Sequence, residues 1–302
     1  MRTKTIIVII LLTLMQGYSF AQADSDDADD DYSKDKKGFK VGLFVGALFA
    51  NQYTAKLYDG YGYDIDGNKF NFENSFMYQK IIIQYGGGIA GQPDYIAQAL
   101  GVNPGDWSFT ERDMPVNMRY TPSFLFGLQM RYSVDKKNAI LININGAQLK
   151  AGGNFTITTR PTSGQTQVNN AIKTFGIVGG EQRLIIQLGY QRILTENEKV
   201  NFLIEGGLNA TVAKFDKNQI LINDLLIDLT ADYNNAAYTS YRTKRPIGTG
   251  FGAFAGIGIH ITMSEKFTVQ LMYNPSYERI NIGENRKLTL QNAVGLRMYY
   301  NF

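Results

Sequence analysis

Residues 287–302, KLTLQNAVGLRMYYNF, alternate in character over sixteen positions. Leu288, Leu290, Asn292, Val294, Leu296, Met298, Tyr300 and Phe302 fall on one side, and Lys287, Thr289, Gln291, Ala293, Gly295, Arg297, Tyr299 and Asn301 fall on the other. A period of two defines a strand with one apolar and one polar face. Its length is about twice that of a usual strand in a soluble domain. It suits a tilted strand that crosses a bilayer and projects beyond it.

The other end of the chain indicates the compartment. Arg2 and Lys4 precede an apolar run over residues 6–14, and the small residues Ser19, Ala21 and Ala23 follow. This pattern predicts a secretory signal peptide over residues 1–23, cleaved after Ala21 or Ala23. The run is too short to span about 30 Å of hydrocarbon as a helix. Cysteine is absent, which excludes a lipid-modified N-terminus, a disulfide scaffold and thiolate metal sites. Residues 24–37 carry seven Asp against three Lys, net −4, leaving about +5 on residues 38–302. So acidic a stretch lacks the apolar content to pack, and it predicts a solvated, disordered periplasmic segment.

Seven more segments alternate like the last one. Residues 39–50 place Phe39, Val41, Leu43, Val45 and Phe49 opposite Gly42 and Gly46, and residues 121–134 place Phe124, Phe126, Leu128, Met130 and Tyr132 opposite Gln129 and Arg131. The third alternates Ile140, Ile142 and Ile144 with Asn143 and Asn145, and extends toward Thr158 past Gly152 and Gly153. Segments follow over 181–194, 200–212, 248–263 and 267–274. Connections after the second, fourth and sixth are three to five polar residues, whereas those after the first, third and fifth are roughly 70, 25 and 32 residues. Short turns on one side and long loops on the other are the pattern of a transmembrane barrel with both termini in the periplasm. Phe39, Tyr132, Phe202, Phe267, Tyr300 and Phe302 lie near the turn side, as an interfacial aromatic girdle requires. The expected fold is an all-β, transmembrane, antiparallel up-and-down barrel of eight strands with long loops at about 51–119 and 216–247. Ten strands is the alternative, because residues 70–85 also alternate. A soluble barrel fits less well, since the polar face is rich in Gly, Ala and Ser, which suits a crowded interior better than a solvated surface.

Arg131, Arg183, Glu205, His260 and Arg297 fall on the inward face, with Gln129, Gln187, Asn209, Gln270 and Gln291. Buried charges must pair, so the expectation is a polar plug holding the wall in shape rather than a pore. His260 is the only histidine and lies toward the turn end, which favours an interior hydrogen-bonding role over a metal or hydrolase site. Asp64, Asp66 and Asn68 resemble the start of a calcium loop, but Lys69 stands where glycine is needed and Ser75 where glutamate is needed. A turn is the better reading. Gly86, Gly87 and Gly88 lack the Lys and Ser or Thr of a phosphate loop and read as a flexible joint.

The first long loop is unexpectedly apolar. Ile82, Tyr95, Ile96 and Trp107 there, and Leu225 in the third loop, are candidate partner-binding residues; packing of the loops over the barrel is the competing use. Pro93 and Gly101 bracket a short helix, and Leu221, Ile222, Leu225, Leu226 and Leu229 repeat at helical spacing.

The Ser-Phe-Ala-Gln at residues 19–22, the opening strand 38–42 and the closing residues 295–302 resemble the PorT-like, porin-family outer-membrane barrels of Bacteroidota. The resemblance implies an outer-membrane location and, for some members, service as accessory subunits of envelope machines such as type IX secretion. The terminal aromatics Tyr300 and Phe302 likewise resemble the signal read by barrel-assembly machinery. Expected partners are outer-membrane lipid, that machinery, and an outer-membrane or periplasmic protein; no nucleic acid and no cofactor is expected. The function expected is a non-enzymatic interaction or accessory subunit, with a small-solute channel as the alternative.

Overall fold

The computed structural model describes residues 38–63, 68–160, 170–195, 197, 199–230, 247–264, 266–282 and 287–301. The expected signal peptide and acidic segment lie outside these residues, as do residues 64–67, residues 231–246 of the third loop, and Phe302.

Among the described residues, eight long strands form the wall: β1 (Gly38–Phe49), β2 (Ser123–Ser133), β3 (Asn138–Thr159), β4 (Ala171–Ile193), β5 (Val200–Ile222), β6 (Ile247–Thr262), β7 (Phe267–Asn281) and β8 (Leu288–Asn301). Each pairs antiparallel with its sequence neighbours, and β1 pairs with β8 from Lys40↔Asn301 to Phe49↔Asn292, which closes the ring. The tight turns have local causes. Asp135 Oδ1 accepts from the Lys137 and Asn138 amides, both at 2.8 Å, and folds the chain from β2 into β3. Asn201 Oδ1 accepts from the Asn197 amide at 2.8 Å between β4 and β5.

The barrel is apolar outside and polar within, the transmembrane arrangement. On β4, Leu184, Ile186, Leu188 and Tyr190 are exposed while Arg183, Gln187 and Gln191 are buried. Phe39, Tyr132, Phe202, Phe267 and Tyr300 point outward at the turn end, and Phe49, Phe124, Phe251 and Tyr277 do so toward the other end. From Phe202 to Val212, or Phe267 to Tyr277, the chain advances ten residues. At about 3.3 Å per residue and a tilt of about 40°, that is roughly the 25 Å of an outer-membrane apolar band.

Three strands do not stop there. β3, β4 and β5 have 22, 23 and 23 residues, about twice the 12 of β1 and 11 of β2. Above the band the polarity inverts: Phe155, Ile157, Phe175, Ile177, Phe215 and Ile220 are buried on the inner face, while Gln148, Lys150, Gln182 and Lys214 point out. Residues of the first loop, among them Leu57, Tyr58, Met77, Ile81, Ile96 and Leu100, pack on that inner face. The main hydrophobic core therefore lies over the mouth of the barrel. A bulge assists the inversion. Gly180 and Glu181 face Lys217 and Phe215, so Asp216 is the extra residue, and the buried positions change from odd numbers up to Phe215 to the even Asn218, Ile220 and Ile222.

Several expectations are corrected. The third segment runs the full length of β3 and the fourth begins ten residues earlier than expected, so their connection is residues 160–170 rather than about 25. The fifth strand runs to Ile222, into the stretch read as loop. Its last turn is a hairpin, not a helix: Gln219–Ile222 pair with Leu225–Asp228 around Asn223, whose φ is 51°. Ile220, Ile222, Ile227 and Leu229 are buried and Leu221 and Leu226 exposed, so the leucines and isoleucines sort by strand faces. The alternating stretch at 70–85 is not a ninth strand. It forms α1 (Phe76–Tyr78), capped by Ser75 and burying Met77, which continues into a wider π turn, Gln79–Gln84, that buries Lys80 and Ile81. The bracketed helix forms as α2 (Tyr95–Leu100); Asp94 caps it through the Ala97 amide and Gly101 ends it at φ +70°. Of Gly86 to Gly88, Gly86 is closely packed, a Cβ there meeting Trp107 at 2.8 Å, while Gly87, at φ +75°, and Gly88 are exposed.

Candidate functional site

The interior is a polar wall-to-wall assembly, and its side chains divide into two groups. In the lower group Arg297 reaches across the barrel to Glu205 with two bonds, Nη1–Oε2 at 2.6 Å and Nη2–Oε1 at 2.7 Å, both side chains being almost wholly buried. Gln191 Nε2 donates to Glu205 at 3.1 Å, and Arg131 Nε donates to Gln191 Oε1 at 2.9 Å. Gln270 joins Gln191 at 3.3 Å and His260 Nδ1 at 3.0 Å. Arg131, Glu205, His260 and Arg297 thus belong to one connected network. His260 pairs in register with Asn201 and Gln270 near the turn end.

Arg183, the fifth predicted interior residue, belongs to the upper group. Its Nε donates to Glu181 at 2.6 Å, and its Nη2 donates to Thr54 of the first loop at 2.9 Å. The same carboxylate accepts from the hydroxyls of Tyr58 at 3.2 Å and Tyr120 at 2.5 Å. Burial first, then the adjacent Glu181 carboxylate, push both phenols far above their ordinary range, so both remain donors. Tyr58 also stacks on Phe215 with ring centroids 5.0 Å apart. Nearby Asp59 has its carboxyl pushed up by burial, against the Lys69 ammonium 2.7 Å away.

Glu181 and Glu278 are interior charges missing from the set read off the alternation. Glu278 accepts from Asn209 Nδ2 and Thr211 Oγ1, both at 2.6 Å. Arg131, Arg183 and Arg297 therefore share the interior with three carboxylates, Glu181, Glu205 and Glu278. The signal was present: both glutamates continue the inward parity of Arg183 and Asn274, one at the edge of the expected fourth segment and one past Pro275.

A cavity of about 20 Å³ lies among Phe44, Gln129, Asn145, Gln187, Asn274 and Arg297, enough for about one water. At the mouth, the candidate partner residues are mostly used within the molecule. Ile96 is fully buried, and Ile82, Trp107 and Leu225 are partly buried against the upper core. Trp107 Nε1 donates to Asp94 Oδ2 at 2.8 Å. Ile96 is thus committed to packing, while Ile82, Trp107 and Leu225 lean on the tall inner face of β3–β5 with part of each side chain still exposed. Tyr95 remains exposed, as does Val116. Tyr300 points outward beside Phe267, with ring centroids 5.3 Å apart.

No protein-family model matches the sequence, and no curated protein does. Among solved structures, the chain is similar to neisserial surface protein A, with a TM-score of 0.43 at 6% identity, covering 88% of this chain and 97% of that one. OprG from Pseudomonas aeruginosa gives 0.38 at 10%, covering 88% and 97%. Ail of Yersinia pestis, solved with the heparin analogue sucrose octasulfate, gives 0.35 at 11%, covering 88% and 99%. All three are eight-stranded outer-membrane barrels.

Proposed function

We propose that this chain is a non-enzymatic interaction or accessory subunit of an envelope protein complex, anchored in the outer membrane by a closed barrel and presenting the layer folded over its mouth. The observation that carries this reading is the seating of Thr54 and Tyr58 on the Glu181–Arg183 pair. It makes the first loop part of the barrel's own packing and gives the layer outside the membrane a fixed shape, as a recognition surface needs. A solute channel is less well supported, because the Arg297–Glu205 pair spans the interior and Arg131, Gln191 and Gln270 are bonded into the same network. The resemblance to PorT-like barrels points the same way, toward secretion or outer-membrane assembly machinery. Export by a cleaved signal peptide, and insertion by assembly machinery reading Tyr300 and Phe302, belong to the same proposal.

The test is affinity purification of the tagged protein from native outer membranes in mild detergent, with mass spectrometry of what accompanies it. A stoichiometric outer-membrane or periplasmic partner, lost in a Tyr95→Glu/Val116→Glu variant that still shows the heat-modifiable gel shift of a folded barrel, is expected. Equal partner recovery with that variant would remove these loop residues from the interface, and recovery of the barrel alone in several detergents would overturn the subunit reading.

A further inference from the structure

The outward face of β3, β4 and β5 changes character within one step of the sheet. Reading across the three strands, the rows Ile142/Leu188/Leu208, Ile144/Ile186/Ala210 and Gly146/Leu184/Val212 are apolar or featureless. The next row is Gln148/Gln182/Lys214, and the one after is Lys150/Gly180/Lys217. The change falls just past Val212, about one apolar-band height from Phe202 in the turn-end girdle. The polar rows thus stand at the plane of the outer-leaflet headgroups.

From this we infer that Gln148, Lys150, Gln182, Lys214 and Lys217 form a binding patch for the phosphate-bearing headgroup of an outer-leaflet lipid. The inference rests on the outer-membrane reading above. Three lysines lie on two adjacent rows of one rigid sheet, and among the described residues their ammonium groups have no hydrogen-bond or ion-pair partner. Gly180, between Lys150 and Lys217, contributes no side chain of its own, and Lys217 and Asp216 reach over it, with Lys217 Cγ 3.0 Å from where a Cβ would lie. Asp216 is the one acid of the patch and leaves it a net +2. The two glutamine amides add neutral donors. A phosphomonoester fits this set in charge and in its demand for several donors, while the lipid's acyl chains would lie against the apolar rows directly below. Arg279 repeats the pattern on β7, one step beyond Tyr277.

The test is native mass spectrometry of the full-length folded barrel in detergent, titrated with diphosphoryl lipid A, with its dephosphorylated form, and with inorganic phosphate. Insertion into phosphatidylcholine vesicles is checked first. Failure there would count against the outer-membrane reading, whereas insertion without phosphate preference counts against the patch alone. Each lysine near an anionic surface is worth roughly a factor of five, so Lys150→Gln/Lys214→Gln/Lys217→Gln should weaken diphosphoryl lipid A binding on the order of a hundredfold. The corresponding triple Arg variant should retain binding, and Lys199→Gln at the turn end should change nothing. Heat-modifiability establishes that each variant is folded. If the triple Gln variant does not fold, Lys214→Gln alone, expected to weaken binding about fivefold, carries the same test. Equal retention of the dephosphorylated lipid, unchanged binding by the Gln variants, or displacement by inorganic phosphate would each overturn the assignment to a lipid headgroup.

Discussion

Glu205→Ala should be among the most damaging single substitutions in the barrel wall. The carboxylate accepts two short bonds from Arg297 and a third from Gln191. Its removal leaves a guanidinium that is 1% exposed with no counter-charge. The Phe44 ring, its centroid 6.0 Å from the guanidinium carbon, is already in place in the wild type and does not replace the lost carboxylate. Breaking one side of a buried pair costs about 3–5 kcal/mol, because the remaining charge is desolvated without compensation. Glu205→Leu with Arg297→Met removes both charges and should cost clearly less than Glu205→Ala alone. The assay is urea unfolding of the barrel in phospholipid vesicles, followed by far-ultraviolet circular dichroism and by the gel shift of the folded form. A loss of under about 1 kcal/mol for Glu205→Ala, or a double variant whose cost is the sum of the two single ones, would refute the view that the pair acts as a unit.

Gly179→Val should loosen the layer over the mouth while leaving the barrel folded, since a Cβ there would occupy the position of the Tyr58 ring. An overpacking cost of about 1–3 kcal/mol implies trypsin cleavage at Lys56 faster by about tenfold or more, and unchanged cleavage would contradict the seating. Asp94→Ala removes both the cap of α2 and the acceptor for Trp107; the local cost is about 2 kcal/mol, read as increased acrylamide quenching of the single tryptophan. The Asp135 carboxyl is held below its ordinary range, first by the Asn138 side chain and then by the Lys137 and Asn138 amides. A depressed folded value means that its contribution is complete above the ordinary carboxylate range and disappears as pH falls through the lowered one. The carbon-13 titration of that carboxyl should therefore have its midpoint below that of a free aspartate, and Asp135→Ala should abolish the extra protection of the two amides.

The membrane-spanning part of this fold was legible because lipid imposes one rule on every strand, and Phe39, Phe202, Phe267 and Tyr300 all obey it. The ten inward polar residues read from the alternation are all buried. The part above the membrane was not legible in the same way, since there the rule reverses. Lys214 ends the apolar outward series of β5, and the bulge at Asp216 then changes its parity, so the alternation breaks although the strand continues to Ile222. Pro275 hides the end of β7 similarly. It lacks an N–H, yet it sits where the ladder to β6 skips from Tyr273 to Ser276, and Glu278 beyond it still points inward. The first loop is apolar in sequence, but the surface its apolar residues pack on is the inner face of those strand ends, which the alternation does not mark. Ile82, Ile96 and Trp107 look like docking groups only while Phe155, Phe175 and Phe215 are taken to lie elsewhere.

The most direct test of the central claim, a closed barrel acting through its folded outer layer, is single-molecule conductance of the full-length protein in a planar bilayer. A silent membrane is expected for the wild type and for Gly179→Val, whose lower network is intact, with current appearing only when the Glu205–Arg297 pair is removed. A stable, discrete conductance from the wild-type protein, altered by replacing Arg131 or Arg297, would contradict it and make the interior a solute path.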